Sequence, residues 1–235
     1  MTLLDSGHGS EWPSLDICLR LACLPQAGIL KFGFSINMEP HQDDTGSKIG
    51  MWLFLLSEIL LFGGLFILYS SYRYKNPIDF HLAAWELNRV LGTINTLILI
   101  TSSLFMVLSI FSIQKGDRKL SMIFLLATIF LGLLFLGVKY VEWTAKIEHG
   151  LYPNSPRLLG RSKGEILFYG LYYSTTGLHG LHVLVGLFIL SVMLVLMVKG
   201  KINENRFVPL ENTGLYWHLV DIIWIFLFPL FYLIT

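Results

Sequence analysis

Six ionisable side chains, Glu58, Glu142, His179, His182, His218 and Asp221, fall within or at the edge of long apolar runs. Hydrocarbon cannot solvate them, and a charge at mid-membrane costs at least ~2.5 kcal/mol on insertion scales, so such groups normally face protein or water. Glu58 has no charged partner within its own run, which suits either a proton-handling carboxyl or one hydrogen-bonded to a neighbouring helix. The hydrogen bond is the simpler expectation. At 100° per residue, Tyr172, Thr175, His179, His182 and Gly186 share an arc of roughly 80°, so a polar stripe faces a partner. Two histidines three apart on one helix cannot give one iron its opposite axial ligands. His218, the remaining histidine within an apolar run, carries Asp221 three residues later on the same face, and the two are expected to neutralise each other. Metal or haem ligation by this chain is therefore not expected, and the histidines are expected to make helix-to-helix hydrogen bonds. Lys139 and Glu142 have the same spacing and are expected to pair. The sequence offers no nucleophile with a base and no phosphate loop, so no catalytic residue is assigned.

These groups need helices to position them, and the composition supplies them. Of 235 residues, 54% are hydrophobic and only 14% charged, outside the range of ordinary soluble domains. Five runs approach the ~20 residues needed to cross a bilayer: 50–72, 90–113, 120–143, 166–198 and 215–234. Runs such as 123–137 are apolar on every side, which excludes barrel strands and predicts an all-α integral membrane bundle of five transmembrane helices. The fourth run is long enough to tilt or to pass beyond the bilayer. Its start, 168–173, is expected to form an interfacial aromatic belt, with Trp217 and Trp224 as further interfacial anchors. Gly63 and Gly64 are expected to mark a close helix approach, and the seven-residue spacing of Asn95, Ser102 and Ser109 a packed small-polar face.

Net charge is +1, with no long basic block, so nucleic-acid binding is excluded. Residues 1–47 read as a polar, disordered extension. Its apolar patch at 17–24 is too short to span and is broken by Arg20, and Met38 is the expected natural start. Cys18 and Cys23 fit neither a zinc site nor a disulfide framework. Positive charges divide almost evenly between the two sides, but the short basic loops 114–119 and 199–206 favour a cytoplasmic N-terminus and an external C-terminus.

The runs 50–66 (GMWLFLLSEILLFGGLF), 133–143 (LLFLGVKYVEW), 177–186 (GLHGLHVLVG) and 216–229 (YWHLVDIIWIFLFP), with the loop Gly116-Asp117-Arg118-Lys119, resemble cytochrome c oxidase subunit III. The resemblance covers residues 48–235 in family order. It implies a subunit packed against catalytic subunit I, with haem and copper held by subunits I and II and none in this chain. Glu58 falls on the family's carbodiimide-reactive intramembrane glutamate, and Glu142, His179, His182, His218 and Asp221 on other characteristic positions. Long members have seven helices, the first two splayed around a lipid-filled cleft, and this chain corresponds to the last five. Leu108, Ile110 and Phe111 stand where long members carry a lipid-holding Trp and His. The short form resembles bacterial versions of the plasma membrane. The resemblance implies an accessory role in a proton-pumping terminal oxidase: stabilising subunit I, supporting proton uptake, contacting membrane lipid and binding no soluble substrate itself. Two other readings compete. One is the small subunit accompanying some nitric oxide reductases, which shares these motifs. The other is a free-standing transporter, which calls for broken helices and an inverted repeat.

Overall fold

The computed structural model describes residues 44–204 and 206–233. The expected start at Met38 and both cysteines lie outside the described residues. Helices run over Asp44–Lys75 (α1), Pro77–Trp85 (α2), Arg89–Gln114 (α3), Arg118–Glu148 (α4), Pro156–Leu159 (α5), Lys163–Val198 (α6) and Val208–Phe228 (α7), followed by a π-helical turn, Pro229–Leu233. Five of them are long and apolar enough to cross a membrane, the last counted through Leu233. Among the described residues there is no strand, only an isolated bridge between Asn203 and Arg206.

Local chemistry sets the boundaries. Pro77 has no N–H to continue α1, so the chain breaks at Asn76 and restarts as α2, with the proline in its first turn. Alpha2 was not expected, because nine residues containing Asp79 and His81 carry no spanning signal. It buries Phe80, Ala83 and Ala84, and Asp79 sits so close to Gly164 of α6 that a Cβ there would clash. Asn88 caps α3 by accepting from the N–H of Val90 and Leu91, and Ser162 caps α6 by accepting from that of Glu165. Alpha7 begins seven residues before the expected 215, because Pro209 fits a first helical turn and Glu211 suits the positive end of the helix dipole. Alpha6, with 36 residues, is about 54 Å long against a hydrocarbon layer of ~30 Å. Its ends therefore run into the interfacial zones.

Alpha3 and α4 form a tight hairpin around Gly116, whose φ of 83° favours glycine. Asn95, Ser102 and Ser109 are all fully buried, as their spacing predicts. Ser109 Oγ donates to the Ser121 carbonyl (2.9 Å) and Ser121 Oγ to that of Ser109 (2.8 Å), so each helix closes a hydrogen bond onto the other. Alpha7 packs against α3 and α6, and α6 against α4. Alpha1 lies outermost, burying Leu55, Phe62 and Tyr69 along a seven-residue seam.

Three expectations about packing are corrected. Phe168, Tyr169 and Tyr172 are fully buried, Phe168 meeting Phe80, Tyr169 and Phe231 edge-on and Tyr172 meeting Phe231, so they form core rather than an interfacial belt. Trp217 and Trp224 are also fully buried. Gly63 and Gly64 have nothing within 4 Å of where a side chain would start, whereas close approaches fall at other glycines, Gly132 and Gly186 among them, both against Trp217. In each case the aromatic or small residue follows the contact face of its helix, which run composition alone does not reveal.

Candidate functional site

Glu58 on α1 meets His182 on α6, with Oε2 2.9 Å from Nε2. His182 Nδ1 lies 2.8 Å from the Leu178 carbonyl, which can only accept, so Nδ1 carries a hydrogen. The Glu58–His182 contact then holds one proton, shared as neutral acid with neutral imidazole or as carboxylate with imidazolium. Phe62 packs edge-on against the imidazole at 5.3 Å, and Tyr216 donates to the His182 carbonyl at 3.0 Å. Alpha1 and α6 are joined here by a single-proton bridge near the middle of both helices.

A larger cluster surrounds Glu142. Lys139 Nζ lies 2.9 Å from Oε2 and Lys146 Nζ 3.1 Å from Oε1, and all three residues are buried. The hydroxyls of Tyr172 (3.0 Å) and Tyr232 (2.6 Å) donate to Oε1. Lys139 also donates to the Tyr232 oxygen at 2.7 Å and lies 4.7 Å from the centre of the Trp224 ring. Two lysines thus share one carboxylate, with phenolic oxygens and π faces spreading the remaining positive charge. The expected Lys139–Glu142 pair is present, but Lys146 and Tyr232 escaped the sequence reading. Lys146 stands four residues after Glu142 on the same face, so its spacing could have revealed it. Tyr232 reaches the cluster from the π turn, and spacing gives no sign of that.

The expected His218–Asp221 pair does not form. His218 Nδ1 shares a hydrogen bond of 2.7 Å with Ser103 Oγ on α3. Asp221, 3% exposed, makes no hydrogen bond of strict geometry among the described residues, but the Ser103 hydroxyl stands beside its carboxyl as a side-chain donor and can accept from His218 at the same time. Residues i and i+3 share a helix face, but α3 draws the imidazole away from the carboxylate. His179 departs from expectation too. Neither of its nitrogens has a hydrogen-bond partner among the described residues, and the ring is held between Phe135 (5.6 Å) and Trp224 (5.3 Å).

At the Lys163 end of α6, Arg161 bridges Glu86 (2.8 Å) and Glu165 (2.7 Å), and Tyr169 donates to Glu86 at 2.6 Å. Its hydrogen bond to Glu86, with that to Glu165, holds the guanidinium above its ordinary range. Among the described residues no three His, Cys, Asp or Glu side chains are grouped so as to hold a metal ion.

The sequence that builds these five apolar, inwardly cross-linked helices matches a known family over most of its length. The sequence model of cytochrome c oxidase subunit III matches residues 39–235. The chain belongs to the cytochrome c oxidase subunit III family. As a member of the subunit III family, it is 34% identical to the cytochrome c oxidase subunit 3 of Thermostichus vulcanus, over 83% of this chain and 90% of that one. It is 28% identical to a probable quinol oxidase subunit 3 of Staphylococcus haemolyticus, over 85% of this chain and 94% of that one. It is also 32% identical to a heme-copper oxidase subunit I+III of Aeropyrum pernix, over 80% of this chain but only 22% of that much longer protein. Subunit III of a haem-copper oxidase is part of an oxidoreductase complex, and the chain is accordingly a multi-pass membrane protein.

Proposed function

We propose that this chain is a non-catalytic subunit of a proton-pumping haem-copper terminal oxidase in a bacterial plasma membrane, with its N-terminus in the cytoplasm. It stabilises subunit I and keeps proton uptake fast, while haem and copper reside in subunits I and II. The observation that carries this reading is the Glu142 cluster: its charges and hydroxyls are turned onto one another and lock α4, α6 and the π turn together. Such groups are spent on holding helices rather than on a reacting molecule. A subunit I+III relative, in which the two names belong to one protein, supports subunit I as the neighbour. A transporter reading would want helices broken at mid-membrane, whereas the five spans run continuously.

Deleting this chain from its native host tests the reading. The purified remainder should keep its haem spectrum and initial oxygen reduction but lose activity progressively over repeated turnover. Loss of haem on deletion, or purification of the chain without any haem-bearing partner, would refute it.

A further inference from the structure

A cleft of about 390 Å³ opens at the Val208 end of α7, between α1, α3 and α7. Gly214, where a Cβ would meet Ile110 at 2.6 Å, brings α3 and α7 together as its floor, and Trp52 of α1, 63% exposed, stands at its rim. The mouth carries no surplus charge: Lys48 Nζ lies 3.1 Å from Glu211 Oε2, and Glu211 Oε1 accepts from Gln114 at 3.0 Å. A phosphate or carboxylate headgroup therefore meets no unpaired cation among the residues lining it. His218 closes the inner end, about 10 Å along α7 from Glu211.

Three side chains fix what this imidazole can do. The Ser103 hydroxyl donates towards Asp221, so it accepts at 2.7 Å from the N–H at His218 Nδ1, and Nε2 keeps its lone pair. Nε2 has no hydrogen-bond partner among the described residues, and the ring lines the cleft. An imidazole acceptor calls for a hydroxyl or N–H donor, which the ester carbonyls and acyl chains of a phospholipid lack. Beyond His218 the cleft continues as the apolar groove between α3 and α7, past Leu104, Val107 and Ile222 to Ile225. Together the two follow about 21 Å of one face of α7.

We infer that the cleft binds a hydroquinone with a long apolar tail. One ring hydroxyl donates to His218 Nε2, the ring lies beside the Trp52 indole, and the tail follows the groove towards mid-membrane. A neutral mouth, an indole wall and an imidazole acceptor select a ligand that is uncharged, flat and hydroxyl-bearing at one end. Ser103 and Asp221 act as positioning residues, because they hold His218 in the tautomer that accepts. The site goes beyond the subunit III reading and holds whichever complex the chain joins.

The test uses the intact complex in native membranes and a benzohydroquinone whose alkyl tail ends in an aryl azide. Photolysis should label this chain within residues 100–107 or 222–225, and excess decyl-benzohydroquinone should suppress the label at least tenfold. The dimethyl ether of that competitor keeps ring and tail but has no hydroxyl to donate, and should need at least tenfold more compound for the same suppression. His218→Leu should cut labelling tenfold or more, whereas His218→Gln, whose amide oxygen accepts, should keep most of it. Absence of label in the wild type, equal competition by the ether, or equal labelling of the same residues by a diacylglycerol carrying the same azide would each overturn the inference. Those three readings use the wild-type chain, so they decide the matter even where a His218 variant fails to fold. Unchanged labelling in a folded His218→Leu chain would overturn it too.

Discussion

His182 Nε2 lies 2.9 Å from Glu58 Oε2, joining α6 to α1 across 124 positions of sequence. The link matters because α1 is the least embedded of the five spans, with 11% of its most apolar stretch buried, so polar anchors carry much of its attachment. A second anchor lies one seam position beyond Phe62, where Tyr69 donates to the Leu230 carbonyl at 2.7 Å. That carbonyl belongs to the π turn, in the last turn of the helix, where carbonyls lack intrahelical partners.

Removing the Glu58–His182 bridge should loosen α1 without touching haem. The proton count sharpens the expectation: a glutamine at 58 can donate its amide N–H to Nε2 of a neutral imidazole, and a leucine cannot. Glu58→Gln should therefore cost less than Glu58→Leu. A double-mutant cycle of Glu58→Leu with His182→Leu should give a coupling of about 0.6 to 1.7 kcal/mol, the range seen for hydrogen bonds between membrane helices. Unfolding in mixed detergent measures it, and the haem spectrum of the complex should be unchanged. Additive losses would show that the two side chains do not act on each other.

Glu142 should be the most damaging single substitution in the bundle. Glu142→Gln leaves Lys139 and Lys146 buried without a counter-charge, and breaking a buried ion pair from one side costs about 3 to 5 kcal/mol. Tyr232→Phe removes the hydroxyl that donates to the carboxylate and accepts from Lys139 but leaves both ion pairs, and should cost about 1.5 to 3 kcal/mol. Replacing Lys139, Glu142 and Lys146 together with apolar residues of similar size should recover most of the loss of Glu142→Gln. Denaturant midpoints of the four proteins check the order, and a Glu142→Gln protein as stable as Tyr232→Phe would contradict it.

The sequence made the spans legible because hydropathy over twenty residues needs no knowledge of neighbours. It also revealed periodic faces, as the burial of Asn95, Ser102 and Ser109 shows. It failed wherever the deciding partner lies on another helix. His218 was matched to Asp221 because they share a turn, yet Ser103, 115 positions away, takes the imidazole. Trp217 and Trp224 read as interfacial by residue type, but Gly132 and Gly186 leave room for the Trp217 indole in the core. Glu58 could be recognised as needing a partner, and the polar stripe that supplies it was visible on α6. Nothing in either run said that His182 rather than His179 would face it.

The glycines give a paired prediction. A Cβ on Gly186 would lie 2.9 Å from the Trp217 ring, and one on Gly132 2.8 Å from the same ring, so alanine at either position must displace a buried indole. Overpacking of this kind costs about 1 to 3 kcal/mol. Gly64, with nothing within 4 Å, should accept alanine with no loss and gain slightly from the better helix propensity. Trp217 Nε1 donates to Ser102 Oγ at 3.1 Å, so displacement of the ring in Gly186→Ala should also appear as a shifted tryptophan fluorescence maximum. An unchanged spectrum and midpoint in Gly186→Ala would mean the packing is slack.

The Glu86–Arg161 latch should behave as a surface element. Its side chains are 35% and 26% exposed, so the ion pair contributes no more than about 1 kcal/mol and is screened by salt. On the alkaline side, a guanidinium held above its ordinary value keeps its stabilising contribution up to the ~12 above which an unperturbed arginine titrates. Alkaline titration should therefore leave the latch closed. Glu86→Gln should weaken it, because the amide can still accept from Tyr169 but brings no charge to Arg161. Proteolysis within residues 149–162, which connect α4 to α6, should accelerate modestly in Glu86→Gln and in high salt, and not in alkaline buffer. Acceleration by alkali alone would show that some other group holds this end of the bundle.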